Sequence, residues 1–238
     1  MTVQTLQIDG IDVAGTDGET ILSVATENGI TIPTMCHLAG LSETGACRVC
    51  VVELEGTERL FPACTTAIAE GMRVTTGSAR LEEVRRTLVE MLFLERLHIC
   101  SVCVANNHCE LQDLSETVRL DHFELPPINP RVAIDASHPL FAIDHNRCIM
   151  CVRCVRVCAE IEGASTWGVM GSGIDERVVT DMGTPWGESV TCTSCGKCVQ
   201  VCPTGALFEK GRSIAEGSKE RRPFLPYLRT IEQGSAER

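Results

Sequence analysis

Residues 148–158 read CIMCVRCVRVC and residues 192–203 read CTSCGKCVQVCP. Each run spells C-x2-C-x2-C-x3-C, which sets three thiolates on one tight loop and leaves a fourth cysteine further on. Three sulfurs so placed cap one face of an iron–sulfur cube, whose remaining iron needs a ligand from outside the loop, and paired runs supply it to each other. One [4Fe-4S] cluster is therefore expected on Cys148, Cys151, Cys154 and Cys202, and another on Cys158, Cys192, Cys195 and Cys198. Four-cysteine zinc sites also use C-x2-C pairs, but two such runs, the second followed by Pro203, favour iron.

Outward from this region the other cysteines fall into two further groups. Residues 3–13 (VQTLQIDGIDV) alternate apolar positions on either side of Asp9-Gly10, which predicts a hairpin with a two-residue turn. Thr16-Asp17-Gly18-Glu19 has the form of a capping box, Ile21, Leu22, Val24 and Ala25 supply an apolar helix face, and Asn28-Gly29 is a stop signal. Strand, strand, helix opens a β-grasp fold. Cys36, Cys47, Cys50 and Cys64 then follow as C-x10-C-x2-C-x13-C, and these four are expected to hold a [2Fe-2S] cluster. The segment VCVVEL reads as a strand leaving the site, and FPAC brings back the fourth ligand on a loop stiffened by Pro62.

Between the two cysteine regions, residues 78–97 carry Leu81, Val84, Leu88 and Met91 or Leu92 at helical spacing. Three more cysteines, Cys100, Cys103 and Cys109, stand in C-x2-C-x5-C, one ligand short of a cubane. A short helix is expected over 111–119. Four prolines mark 121–140 as a linker. Residues 159–191, which contain Trp167 and Trp186, read as a Gly-rich insertion covering the clusters, and residues 210–238 as a charged docking tail containing RRPFLPYL. The architecture expected is α+β. It comprises a β-grasp [2Fe-2S] domain over 1–77, a small helical [4Fe-4S] domain over 78–120, the linker 121–140, and a bacterial-type 2[4Fe-4S] ferredoxin domain over 141–209.

The four groups use all fifteen cysteines. The first residues, MTVQTLQIDG, lack the basic start and apolar run of a secretory signal, so the cysteines are expected as metal ligands in a reducing cytoplasm. No apolar stretch reaches the roughly 20 residues that span a bilayer. A net charge of −11 makes nucleic acid an unsuitable partner. Gly171-Ser172-Gly173 lacks the third glycine and the strand-to-helix setting of a dinucleotide site, so neither NAD nor FMN binding is expected and no catalytic residue is assigned. Arg48, Arg147, Arg153, Arg156 and Lys197 lie within the cysteine loops, where positive charge raises cluster potentials. His37, His122, His138 and His145 are read as solvated or structural.

The order of these spacings resembles the N-terminal iron–sulfur module of the complex I iron–sulfur subunit and the accessory domains of iron-only hydrogenases. Over essentially the whole chain, including ERLHICSVC, NHCELQDL and RRPFLPYL, it resembles the small diaphorase subunits, of the HoxU type, of bidirectional NAD-reducing nickel–iron hydrogenases. That resemblance implies a cubane with one histidine ligand beside Cys100, Cys103 and Cys109. The complex I pattern, H-x3-C-x2-C-x5-C, puts the histidine at position 96, where this chain has Arg96, a side chain that keeps its proton. His98 is the replacement expected, with His108 as competitor. The resemblance further implies an electron-transfer, non-catalytic subunit of a hydrogen:NAD+ oxidoreductase. Its partners would be an FMN/NAD-binding diaphorase subunit and the small and large subunits of a [NiFe] hydrogenase. The alternatives are an NAD-dependent formate dehydrogenase and a peripheral-arm component of complex I. The latter subunit continues into a long molybdopterin-type domain, whereas this sequence ends at Arg238.

Overall fold

A computed structural model describes residues 2–128 and 130–212; the expected docking tail lies outside the described residues from position 213 onward. The chain is α+β and divides into two compact units, one of residues 2–37, 43–94 and 110–128, the other of residues 38–42, 95–109 and 130–212.

In the first unit, β1 (Val3–Ile8) and β2 (Ile11–Thr16) form the expected hairpin. Asp9 and Gly10 occupy its turn with φ of 51° and 80°, the paired left-handed residues that match the strand twist. Helix α1 (Ile21–Glu27) follows, but its start differs from the expectation at Thr16. Thr20 is the N-cap: Ser23 N–H donates to Thr20 Oγ1 at 3.2 Å and Thr20 N–H donates to Ser23 Oγ at 3.0 Å, a box worth about 1 kcal/mol. Glu19 instead accepts from Thr16 N–H at 2.5 Å. The reason is tertiary, because a bridge from Thr20 to Ala67 holds the chain extended until that point. The helix stops at Asn28 as expected, with Gly29 left-handed. It packs closely on β2, where a Cβ at Gly15 would come within 2.6 Å of Val24 Cγ2.

Strands β3 (Val51–Leu54), β4 (Leu60–Pro62) and β5 (Arg73–Thr75) complete a five-stranded sheet in the order β2-β1-β5-β3-β4, with β1 and β5 parallel. Helix α2 (Ala79–Leu94) starts at the hydroxyl of Ser78, which accepts from Leu81 N–H at 3.2 Å. Its inward row is Leu81, Arg85, Val89 and Phe93, whereas Val84 and Leu88 are half-buried and Met91 is exposed. The pattern misled because the row contains a cation. Arg85 is buried and donates through Nη2 to the Val51 carbonyl at 2.7 Å. Buried Glu90 accepts from the backbone N–H of Glu124 and Leu125 at 2.5 and 2.6 Å. Helix α3 spans Glu110–Thr117.

In the second unit, β6 (Phe141–Ile143) pairs antiparallel with β9 (Leu207–Glu209). Helix α4 (Arg153–Arg156) runs into a π-helical stretch, Val157–Glu162, and α5 is Lys197–Val201. The insertion folds as a hairpin of β7 (Trp167–Met170) and β8 (Arg177–Thr180). Gly171 to Gly173 lie at its turn. Residues at the end of the expected linker are built into this unit: Asp135 pairs with Ile143, and His138 is buried.

Candidate metal centres

Cys36, Cys47, Cys50 and Cys64 are buried and share one hydrogen-bonded group in the first unit. Cys36 N–H donates to Cys47 Sγ at 3.4 Å, and the Cys50 and Cys64 sulfurs lie 3.4 Å apart. Protons divide unevenly among them. Hydrogen bonds with Cys47 and Cys64 hold the Cys36 thiol well below its ordinary range, and its bond to Cys64 lowers Cys50 to about 7. The bond to Cys36 in turn pushes Cys47 and Cys64 up. A buried anionic group of this kind is the donor set a cationic iron core requires. The buried guanidinium of Arg85 faces Cys50 electrostatically, a neighbour hidden from the sequence by its apolar helix row.

Cys148, Cys151, Cys154 and Cys202 line one pocket, together with Ile143, Ile149 and Val178. Burial raises the Cys148 thiol to about 11 and Cys151 to about 12, and pushes Cys154 up as well. Cys202 acts electrostatically on all three, although it follows the first of them by more than fifty residues. Thiols this hard to ionise in an apolar wall fit iron, which supplies the positive charge water cannot. Cys198, raised to about 12 by burial, feels Cys195, Cys158 and Cys192. The structure thus groups sulfurs across the two runs, with Cys202 joining the first and Cys158 the second. Among the described residues no three His, Cys, Asp or Glu side chains are set to hold a single metal ion.

Both loops need left-handed residues to turn around their sulfurs. Met150 and Val152 have φ of 49° and 52°, and Ser194 and Gly196 have φ of 58° and 72°. Each pair flanks the second cysteine of its loop. Both short helices, α4 and α5, then begin at the third-cysteine turn.

In the remaining group Cys103 and Cys109 are buried and Cys100 is half-buried, its thiol raised first by burial and then by Cys103. A Cβ at Gly205 would stand 2.5 Å from Cys103 Sγ, so this site presses on the backbone just after Cys202. Burial, and then the charge of Arg147, lowers His98 to about 4, which keeps its imidazole neutral, the form that binds metals. His108 is half-buried, and its backbone N–H donates to the Ala105 carbonyl at 2.9 Å. Arg96 is buried and fully engaged, donating to the carbonyls of Ile174 and Glu176 at 2.7 and 2.6 Å.

The loop cations differ from one another. Arg147 pairs with Asp144 at 2.9 Å and donates to the Ile99 carbonyl at 2.9 Å. Arg153 and Arg156 are buried, while Lys197 is paired with Glu162 at 2.6 Å and Arg48 is exposed. His37 pairs with Glu43 at 2.6 Å, and His122 with Asp121 at 2.6 Å on the surface. His145 is lowered by burial. His138 differs from the ordinary linker histidine that the sequence suggests. It is buried, and its Nε2 lies 3.0 Å from Ser194 Oγ in the second cysteine loop.

The chain resembles known proteins along most of its length. Residues 2–79 match the 2Fe-2S iron-sulfur cluster binding domain, residues 85–123 the NADH-ubiquinone oxidoreductase-G iron-sulfur binding region, and residues 138–208 the ferredoxin-like domain of NADH-quinone oxidoreductase subunit 3. The NAD-reducing hydrogenase HoxS subunit gamma of Cupriavidus necator is 30% identical over 211 residues, covering 88% of either chain. This chain belongs to the gamma-subunit family of NAD-reducing hydrogenases. A chain in the crystal structure of an NAD+-reducing [NiFe]-hydrogenase in its H2-reduced state matches the family fold here with a TM-score of 0.82, 34% identity and 88% coverage of each chain. The alpha subunit of NADPH-Fe(3+) oxidoreductase from Geobacter sulfurreducens is 40% identical over 87% of this chain. The chain spans only about a quarter of that longer relative's length. Two-iron and four-iron domain types are both matched, in an oxidoreductase family. No helix among the described residues is long and apolar enough to cross a membrane.

Proposed function

We propose that this chain is the electron-relay subunit of the diaphorase part of an NAD-reducing [NiFe] hydrogenase, serving the reversible reaction H2 + NAD+ = NADH + H+. The observation that carries the reading is likeness to a gamma subunit over 88% of each chain, combined with four separate cysteine groups. In this reading Cys36, Cys47, Cys50 and Cys64 hold one [2Fe-2S] cluster. Three [4Fe-4S] clusters fall to His98, Cys100, Cys103 and Cys109, to Cys148, Cys151, Cys154 and Cys202, and to Cys158, Cys192, Cys195 and Cys198. Such clusters, when bound, supply one-electron carriers. The chain's own residues bury them, exclude water and set their charge, and none acts as a catalytic acid, base or nucleophile. The cluster modules are assigned here by their cysteine groups, as 1–77, 78–120 and 141–209, and the second of them draws residues from both compact units. The partners are an FMN/NAD-binding diaphorase subunit and the two subunits of a [NiFe] hydrogenase, in the cytoplasm.

Anaerobic purification of the complex that assembles on the tagged chain, followed by a metal inventory, tests this. About 14 iron atoms are owed to this subunit, from one two-iron and three four-iron clusters. Nickel in the complex is the expected result. Molybdenum or tungsten without nickel moves the chain to a formate dehydrogenase, and zinc in place of iron overturns the relay.

A further inference from the structure

The insertion between the two cysteine runs does more than cover sulfur. Trp186 is 1% exposed, and its indole N–H donates to Cys192 Sγ at 3.3 Å. The Trp167 side chain donates to the Cys198 thiol, and Thr166 N–H donates to Cys158 Sγ at 3.3 Å. Three of the four sulfurs in this group therefore receive hydrogen bonds from 166–186, whereas Cys195 is exposed.

The indole of Trp186 is held from every side. Its backbone N–H donates to Asp135 Oδ2 at 2.7 Å. Its ring packs edge-on against Trp167, with centroids 4.9 Å apart at 69°, and against Phe141 and His138, with centroids at 5.6 and 5.0 Å. His138 Nδ1 accepts from Leu140 and Phe141 N–H at 3.1 and 3.2 Å, so Nε2 carries the proton that faces Ser194 Oγ. One aromatic stack thus grips the second cysteine loop through Ser194 and aims an N–H at its first sulfur. A Cβ at Gly187 would collide with the Ser137 carbonyl at 2.4 Å, so the next residue also has no room to shift.

We propose that Trp186 and Trp167 are positioning residues that raise the reduction potential of the cluster which, on the reading above, Cys158, Cys192, Cys195 and Cys198 hold. The reduced cluster carries one more negative charge than the oxidised one, and much of that charge lies on sulfur. A fixed N–H dipole in a dry wall stabilises it without solvent reorganisation. Phenylalanine at either position keeps the stack and deletes the donor.

The test is an EPR-monitored redox titration of the holo-complex with Trp186→Phe, then with Trp167→Phe. Trp186→Phe is expected to lower the midpoint of one [4Fe-4S] signal, so that its reduced-to-oxidised ratio at fixed ambient potential falls about three- to tenfold. Tenfold is 59 mV for one electron. The other signals are expected to hold, and Trp167→Phe to move the same signal the same way. An unmoved midpoint, or an equal shift of every signal, overturns the proposal. Should Trp186→Phe lose the cluster, wild-type complex carrying 15N-indole tryptophan decides: 15N coupling to one reduced cluster supports the proposal, and its absence refutes it. A wild-type complex without any [4Fe-4S] signal would instead sink the relay reading itself.

Discussion

In residues 148–154 the backbone turns left-handed at Met150 and Val152; in 192–198 it does so at Ser194 and Gly196, the same places relative to the cysteines. The surroundings are not the same. Around the first loop stand guanidinium groups, with Arg96 acting on Cys148 and Arg153 on Cys151. Around the second stand indoles and a buried imidazole, and Lys197 within it is paired with Glu162. Sulfur spacing therefore decides the path of the chain, while the residues between the cysteines and those packed on them from elsewhere decide what each group of sulfurs feels. Two sites of one motif can differ in potential for reasons the motif does not contain.

The largest effect that would break this equivalence comes from Gly196→Val. Gly196 has φ of 72°, and a Cβ there would meet Phe141 Cζ at 3.2 Å, so valine meets both backbone strain and the aromatic stack. A loss of about 2–4 kcal/mol is expected in anaerobic denaturant unfolding of the holo-chain. An unchanged midpoint would show that the stack yields.

A smaller effect tests the imidazole. Burial, and then Lys210, lowers the pKa of His138 from 6.5, with Asp135 opposing. The unfolded chain then binds more protons than the folded one below about pH 6.5, so His138 contributes its full stability above that pH and loses it progressively as pH falls. Between about pH 7 and pH 5, the wild-type unfolding midpoint should drop more steeply than that of His138→Asn. Parallel slopes would remove His138 from the account.

The smallest effect sharpens the comparison from the other side. Val152 is β-branched in the left-handed region, which costs about 1–2 kcal/mol, whereas glycine there costs about 0.5–1 kcal/mol in chain entropy. Val152→Gly should accordingly leave stability unchanged or raise it by up to about 1 kcal/mol in the same unfolding assay. A clear loss would mean that the valine side chain packs for more than its strain.

Much of this was legible in advance because it is local. The Asp9-Gly10 turn, the stop at Asn28-Gly29 and the cysteine spacings each depend on neighbours within a few residues. What stayed hidden depends on partners far along the chain. The true cap is Thr20 because Ala67 pairs with it, and Arg85 points inward because the Val51 carbonyl lies beneath. His138 meets a serine 56 residues away. Trp186 was nearer to hand, since it stands six residues before Cys192 and is one of only two tryptophans, both in the insertion. Their position was readable, but the direction of the indole N–H was not.

The central claim is the exchange of ligands between the two runs, and it is tested most directly by counting four-iron signals by EPR in Cys202→Ala and Cys158→Ala complexes. Cys202→Ala should alter the cluster of the 148–154 loop and spare the one covered by Trp186, whose identity the tryptophan variants mark. Cys158→Ala should do the reverse. If each variant instead disturbs the cluster of its own run, the fourth ligand is local and the account is wrong.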